Sequence, residues 1–385
     1  MKRILYLHAG AEMYGADKVL LELIKGLDKS KYEAHVILPN YGILVEELKK
    51  VGAVVSVIDY PILRRKYFNL KGIFRYIISY RKYSKIIVNY VKENDINIIH
   101  NNTTAVLEGI YVKKQCHIPL VWHVHEIIVR PKSISLFIQF LLNRYSDKVV
   151  TVSDSVAQHI TKSKLVSRSK VLTIYNGVDN TVFFKMDDNK VIREKFNIFP
   201  KDIVVGMIGR VNSWKGQNDF LTAMQPILSE NNNVVAFMAG SAFEGEEWRV
   251  KELDERINSS QYANRILRID YYKNTNELYN LFDVFVLPST NPDPLPTVVL
   301  EAMACGKPVV GYKHGGVCEM VVDNVNGLLS KPNDINKLSE NISFLINDRE
   351  KINEFGKMSI ARQKELFSLE SYIHNFEGLY DSFTD

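Results

Sequence analysis

The sequence predicts an α/β fold of two doubly wound parallel-sheet units facing a central cleft. Three observations predict it. The chain has 385 residues, more than one hydrophobic core usually serves. Short apolar runs alternate with helical patterns along its length, the order that builds parallel sheets covered by helices on both faces. The alternation breaks once, over the polar, turn-rich stretch near Asn176–Phe196, and then resumes, which places a linker there.

In the first half, Arg3–Leu7, Ala34–Leu38, Val54–Ile58, Ile96–His100, Leu120–Val124 and Lys148–Val152 read as buried strands. Helical spacing predicts Ala16–Leu27, Leu44–Val51, Gly72–Lys92 and Ser135–Tyr145 between them. In the second half the strands are Ile203–Ile208, Val234–Ala239, Arg265–Ile269, Val284–Leu287 and Val309–Gly311. The helices are Gln217–Leu228, Trp248–Asn258, Thr275–Phe282, Thr297–Ala304, Ile335–Asn347 and Lys351–Lys364, followed by an aromatic-rich helix at Leu369–Phe383. Each half is thus Rossmann-like, over residues 1–180 and 185–365 respectively. Ligands of such sheets bind at the carboxyl ends of the strands, which directs a ligand to the cleft.

Composition is that of a globular protein, 46% apolar and 24% charged. The three cysteines, Cys116, Cys305 and Cys318, give no disulfide framework and point to a reducing compartment. The opening MKRILYLHAGAEMYGAD has an apolar run too short for a signal peptide, and no stretch reaches the ~18 apolar residues of a spanning helix. The expected location is cytoplasmic, with room for peripheral contact on the cytoplasmic face of a membrane. Net charge is +5 but uneven. Residues 1–180 hold 27 Lys+Arg against 15 Asp+Glu, and the remainder 22 against 29. The basic half favours an anionic partner.

The segment richest in chemistry is DPLPTVVLEAMACGKPVV, Asp293 to Val310. Pro294 and Pro296 hold its start extended, and Thr297 reads as the N-cap of a helix that begins at Val298. Asp293 then lies in a loop and Glu301 about one turn into the helix, separated by seven residues. Two acids so placed can grip hydroxyl-rich groups on either side of a diphosphate, whose charge the helix N-terminus between them favours. The bland alternative is a solvated acid and a helix-stabilising Glu.

This segment resembles the glutamate-seven-glutamate motif of family-4 retaining glycosyltransferases of the GT-B fold. Other pieces resemble that family in order: VSDSV (Val152–Val156), YNGVD (Tyr175–Asp179), GRVNSWKG (Gly209–Gly216), LYNLFDVFVLPST (Leu278–Thr290), GGVCEMV (Gly315–Val321) and NGLL (Asn326–Leu329). The resemblance implies a GT-B chain whose final helix, residues 366–385, packs back on the first domain. It implies a nucleotide-sugar donor on the second domain and an acceptor on the first. Arg210 and Lys215, after Gly209, would clamp the donor diphosphate, a role suited to a planar fork and a compact cation. They would neutralise the charge that develops there. Glu301 would bind the nucleotide ribose and Asp293 hydroxyls of the sugar, with Pro294, Leu295, Pro296 and Thr297 lining the donor. Asp293 stands where the family usually has Glu.

In the first half, AEMYGADKVLLELI resembles the family's glycine loop and helix. Gly15 would let the backbone approach a donor phosphate, and Tyr14, where the family often has a second glycine, would meet the acceptor. VWHVHEI sets His123 and His125 on one face of a strand end. By resemblance His125 lies near the reacting sugar, and Glu126 beside it would contact the acceptor. His100, at the end of IIHNNTT, is a weaker candidate for which a core role competes. His123 and His125 lack a third ligand for a metal, and Cys305, His314 and Cys318 fit no zinc spacing. The absence of Asp-x-Asp agrees with cationic side chains in place of a metal, and that of GxGxxG lowers a dinucleotide reading.

Between Arg64 and Lys92 lie nine basic residues interleaved with Phe68, Phe74, Tyr76 and Tyr80. An amphipathic basic helix suits an anionic membrane surface, a solvated helix face being the alternative. No nucleic-acid motif accompanies the charge. The expected function is transfer of a sugar, with retention and without a metal or other cofactor, from a nucleotide sugar to a glycan or lipid-linked acceptor of polysaccharide biosynthesis. A nucleotide-sugar epimerase of the same fold and a non-catalytic partner subunit are the alternatives from other classes.

Overall fold

The structure, a computed structural model, describes every residue except Tyr14, Arg65, Lys66, Thr384 and Asp385. It divides into two compact units, one formed by Met1–Gly177 with the segment from Leu369 onward, the other by Val178–Ser368.

The first unit runs β1 (Lys2–Leu7), α1 (Gly15–Gly26), β2 (Tyr32–Leu38), α2 (Ile43–Lys50), β3 (Val54–Val57), α3 (Leu70–Glu93), β4 (Ile98–Asn101), α4 (Glu108–Cys116), β5 (Leu120–Val124), α5 (Lys132–Tyr145), β6 (Lys148–Thr151), α6 (Asp154–Thr161) and β7 (Val171–Thr173). Its seven strands are parallel, in the order β3-β2-β1-β4-β5-β6-β7. The order reverses between β1 and β4, which makes their carboxyl ends the switch point where doubly wound sheets open a crevice.

The second unit runs α7 (Lys190–Lys195), β8 (Ile203–Ile208), α8 (Gln217–Glu230), β9 (Val234–Ala239), α9 (Trp248–Asn258), β10 (Ile266–Ile269), α10 (Thr275–Leu281), β11 (Val284–Leu287), α11 (Thr297–Ala304), β12 (Val309–Tyr312), α12 (Val317–Met320), β13 (Gly327–Ser330), α13 (Ile335–Ile346) and α14 (Arg349–Leu366). Its six strands are also parallel, ordered β10-β9-β8-β11-β12-β13, so its switch point lies between β8 and β11. β8, β9 and β11 are buried along their whole length, as their unbroken apolar runs require in a sheet covered on both faces.

The last helix, α15 (Leu369–Asp381), packs in the first unit. Tyr372, Phe376, Leu379 and Tyr380 join the core made by β1, β2 and α1. A side chain at Gly26 would collide with Ile373, and Lys2 donates from Nζ to the Tyr380 carbonyl at 3.0 Å.

The stretch read as a linker is not loose. The Phe184 and Met186 N–H groups donate to the side chains of Asn276 and Asn280 on α10, at 3.1 and 2.8 Å. The same stretch then enters α7. Its polarity reflects side chains facing solvent while its backbone is pinned to the second unit. Among the described residues no helix is long and apolar enough to cross a membrane.

Candidate functional site

In the second unit the predicted site residues gather at the carboxyl ends of β8 and β11, on either side of the switch point. Gly209 and Arg210 leave β8 directly. Asn212 then folds an Asx turn, its Oδ1 accepting from the N–H groups of Trp214 and Lys215 at 3.0 and 2.8 Å. Thr290, just past β11, donates its N–H to the Trp214 carbonyl at 2.7 Å. Gly216 closes the loop in the left-handed region (φ 85°), where a Cβ would strike the Pro288 carbonyl. The loop is thereby fastened to the end of β11, and Lys215 points along it.

Lys215 Nζ donates to Asp293 Oδ2 at 2.5 Å, and the two side chains retain only 14% and 9% of their exposure. The sequence reading assigned these two residues to different parts of a ligand, and the structure joins them directly. Arg210 lays its guanidinium over the Phe243 ring, 3.6 Å from the centroid. This stacking holds the planar fork against the ring.

The loop from Asp293 is held from the far side by the glycine pair before α12. Gly315 has φ 59°, and its missing Cβ would strike the Asp293 carbonyl. Gly316 donates its N–H to that carbonyl at 2.8 Å and leaves no room for a side chain against the Pro294 carbonyl. The GGVCEMV motif therefore acts by close backbone approach. Leu295 and Pro296 are buried, while Pro294 is half-buried.

One local prediction fails. Thr297 is the first residue of α11 and Pro296 its N-cap, with no side-chain cap. Proline supplies the extended entry but no acceptor side chain, so the N-cap residue does not satisfy the first N–H groups of α11. Glu301, one turn on, accepts from the Tyr279 hydroxyl of α10 at 2.6 Å. Tyr279 is fully buried, so this bond fixes the carboxylate's direction from beneath.

The first unit's candidates lie at the ends of β1, β4 and β5, around its own switch point. His123 and His125 do share a face, with ring centroids 4.0 Å apart. His100 lies 5.4 Å from His123 and donates to or accepts from the Tyr380 hydroxyl at 2.7 Å. It is wholly buried, which gives it a core role. His123 is also buried, and neither ring nitrogen has a hydrogen-bond partner among the described residues. Burial, reinforced by neighbouring histidines, holds all three in the neutral form: His100 and His125 are pushed down to about 3, and His123 well below its usual value.

His125 Nε2 contacts Asn102 Oδ1 at 3.1 Å. Asn102 Nδ2 contacts His8 Nδ1 at 3.0 Å, and His8 Nε2 meets Asp17 Oδ1 of α1 at 2.5 Å. Sequence reasoning missed His8, Asp17 and Asn102. The available signal was a polar residue directly after each of the strands β1 and β4. Glu126 turns its Oε2 toward the N–H groups of His125 (3.2 Å) and Thr104 (3.4 Å), while burial raises its carboxyl. Gly15 begins α1, and among the described residues beyond its chain neighbours a Cβ there would meet nothing within 4 Å. Tyr14 lies outside the described residues.

The second unit thus offers two cations, two acids and an uncapped helix start, a set suited to a diphosphate flanked by hydroxyls. The first offers a neutral imidazole and a carboxyl raised by burial, groups suited to a hydroxyl. Among the described residues no group of three or more His, Cys, Asp or Glu side chains is placed to hold a metal ion.

Comparison with known proteins follows the same division. The family model described as Glycosyltransferase Family 4 matches residues 13–182, and that described as Glycosyl transferases group 1 matches residues 188–362. The chain is similar to spore coat protein SA of Bacillus subtilis (strain 168), 28% identical over 248 residues that cover 61% of this chain and 64% of that protein. It is similar to the capsular polysaccharide biosynthesis glycosyltransferase CapM of Staphylococcus aureus, 24% identical over 264 residues covering 66% and 67%. In both, the match spans about two thirds of the relative's length. N-acetyl-alpha-D-glucosaminyl L-malate synthase of Bacillus anthracis is 24% identical over 381 residues, covering 95% and 93%. Among solved structures, Anabaena Alr3699/HepE in complex with UDP-glucose superimposes with a TM-score of 0.85 and 25% identity, covering 100% of both chains.

Proposed function

With its two halves matched by the family-4 and group 1 models, the chain belongs to the glycosyltransferases of the GT-B fold, and we propose that it transfers a sugar from a nucleotide-sugar donor to a glycan hydroxyl with retention of configuration. The observation that carries this reading is the meeting of Arg210, Lys215, Asp293 and Glu301 at the switch point of the second sheet. HepE, which shares the fold over its full length, was solved with UDP-glucose, and CapM acts in capsular polysaccharide biosynthesis by its name. The first supports a nucleotide-sugar donor and the second a polysaccharide acceptor.

In this reading the pyrophosphate lies between the β8 loop and the start of α11. Lys215 and Arg210 neutralise it as the donor's C1–oxygen bond breaks and a C1–oxygen bond to the acceptor forms, the hydroxyl proton leaving with the nucleoside diphosphate. These cations take the place of a metal. Glu301, aimed by Tyr279, accepts from the ribose hydroxyls. Asp293 accepts from the sugar, and its pairing with Lys215 keeps both side chains in place until a donor arrives. His125 and Glu126 orient the acceptor. Retention rests on the family resemblance. The test is a screen of UDP-, GDP-, ADP- and dTDP-sugars for nucleoside diphosphate release. A wild-type protein that turns over none of them, with or without oligosaccharide and lipid-linked acceptors, would remove the proposal.

A membrane-bound acceptor is favoured by α3. Leu70, Phe74 and Ile78 form a stripe at i, i+4 and i+8 and are 89%, 66% and 52% exposed, beside the exposed Lys71, Arg75, Arg81, Lys82 and Lys85. This pattern fits an anionic lipid interface on the cytoplasmic face.

A further inference from the structure

We propose that Asp17, His8 and Asn102 form a hydrogen-bonded string that fixes the proton of His125 on Nε2 and so presents Nδ1 to the acceptor. The proposal rests on the reading that His125 orients an acceptor hydroxyl, and it names the positioning residues behind it.

The string can be followed atom by atom from its one unambiguous end. A carboxylate only accepts. At 2.5 Å from Asp17 Oδ1, His8 Nε2 must carry a proton. The other nitrogen of a neutral His8 is then an acceptor. Asn102 Nδ2 stands 3.0 Å from it and supplies the donor. An amide has one face of each kind, so turning its NH₂ to His8 commits its oxygen to the opposite side. There Oδ1 lies 3.1 Å from His125 Nε2 and can only be satisfied by an N–H. The proton of His125 is placed on Nε2, and Nδ1 keeps its lone pair. The tautomer of a working histidine is set in this way by the partner of its other nitrogen.

Two features make the string stiff. His8, Asp17 and Asn102 are all at least nine-tenths buried, so water does not compete for their bonds and each bond polarises the next. The His8 backbone is also clamped, its N–H donating to the Tyr60 hydroxyl at 3.0 Å and its carbonyl accepting from the same hydroxyl. Three strands and a helix supply the parts: His8 follows β1, Asn102 β4 and His125 β5, while Asp17 sits in the first turn of α1. Only the reversal of strand order between β1 and β4 brings them together. A competing arrangement exists. A cationic His8 would donate from Nδ1 to the Asn102 carbonyl, 3.2 Å away, turn the amide over and reverse the tautomer of His125.

The experiment is nitrogen-15 NMR of the histidine side chains in the full-length protein at neutral pH, which reports the protonation of each ring nitrogen. The wild-type His125 should show a protonated Nε2 and a bare Nδ1. Finding Nδ1 protonated, or both tautomers in comparable amounts, overturns the proposal without any variant. Asn102→Ala should shift His125 from a single tautomer toward a mixture, whereas Asn102→Asp, which still accepts from Nε2–H, should keep it. An unchanged tautomer in Asn102→Ala also overturns the proposal. Turnover by His125→Ala separates the two readings. Full activity there removes the acceptor role, while the NMR outcome still decides the string.

Discussion

Lys215 and Asp293 are ion-paired at 2.5 Å across the point where the second sheet reverses its strand order. Under the proposed function the cation that would meet a donor's phosphates is also paired with an acid. Donor binding would then exchange or share that partner, and stability and activity would draw on the same two side chains.

Lys215→Ala leaves Asp293 buried without its cation, which should cost roughly 3 kcal/mol of stability and abolish transfer. Adding Asp293→Asn should restore much of the melting temperature but none of the activity, because the phosphate clamp is still missing. Calorimetry and donor turnover on the two variants check this. A double variant no more stable than Lys215→Ala would contradict the pairing's structural role.

Tyr279 contributes one hydroxyl to Glu301 at 2.6 Å from a fully buried position. Tyr279→Phe should lower the donor's kcat/KM by roughly tenfold, the equivalent of one hydrogen bond, with a smaller effect on kcat. An unchanged KM for the donor would detach Glu301 from donor binding.

Glu108 provides a pH test. It is fully buried in the first turn of α4, its Oε1 has no hydrogen-bond partner among the described residues, and burial pushes its carboxyl up to about 8. An unfolded glutamate ionises above about 4.5, so between 4.5 and 8 only the unfolded chain gives up this proton. Rising pH through that window therefore lowers stability, by up to about 3 kcal/mol near neutrality. Glu108→Gln should be the more stable protein at pH 7.5, and its advantage should shrink to nothing by pH 4.5. Thermal melts across that range check it, and a gap that widens toward acid would contradict it.

The stripe of Leu70, Phe74 and Ile78 with its neighbouring cations predicts sedimentation with vesicles rich in phosphatidylglycerol. Binding should weaken with added salt and fall at least tenfold in a Leu70→Ser, Phe74→Ser, Arg75→Glu variant. Equal binding of that variant at low salt would leave α3 as a solvated face.

Much of this was legible in the sequence where burial is uniform. β5, β8, β9 and β11 match their predicted ends because a strand covered on both faces reads as one apolar run. The edge strands β7 and β13 were not found, being short runs of three and four residues. α4 escaped because its nine residues carry little amphipathic periodicity, and α6, eight residues long, was not found either. In the candidate site, the motif residues of the second unit were all named, but the Lys215–Asp293 pairing was not. It depends on the Asx turn at Asn212 and on glycines 216, 315 and 316 bringing two loops together. The meeting of His8, Asp17 and Asn102 escaped for the same reason: it is a product of strand order, which no local pattern carries.

The central claim concerns where the donor sits. Crystals soaked with a nucleotide sugar that the screen identifies should show its pyrophosphate between Arg210, Lys215 and the N–H end of α11, with the ribose on Glu301. A nucleotide bound away from those side chains, with Lys215 still closed on Asp293, would contradict the account.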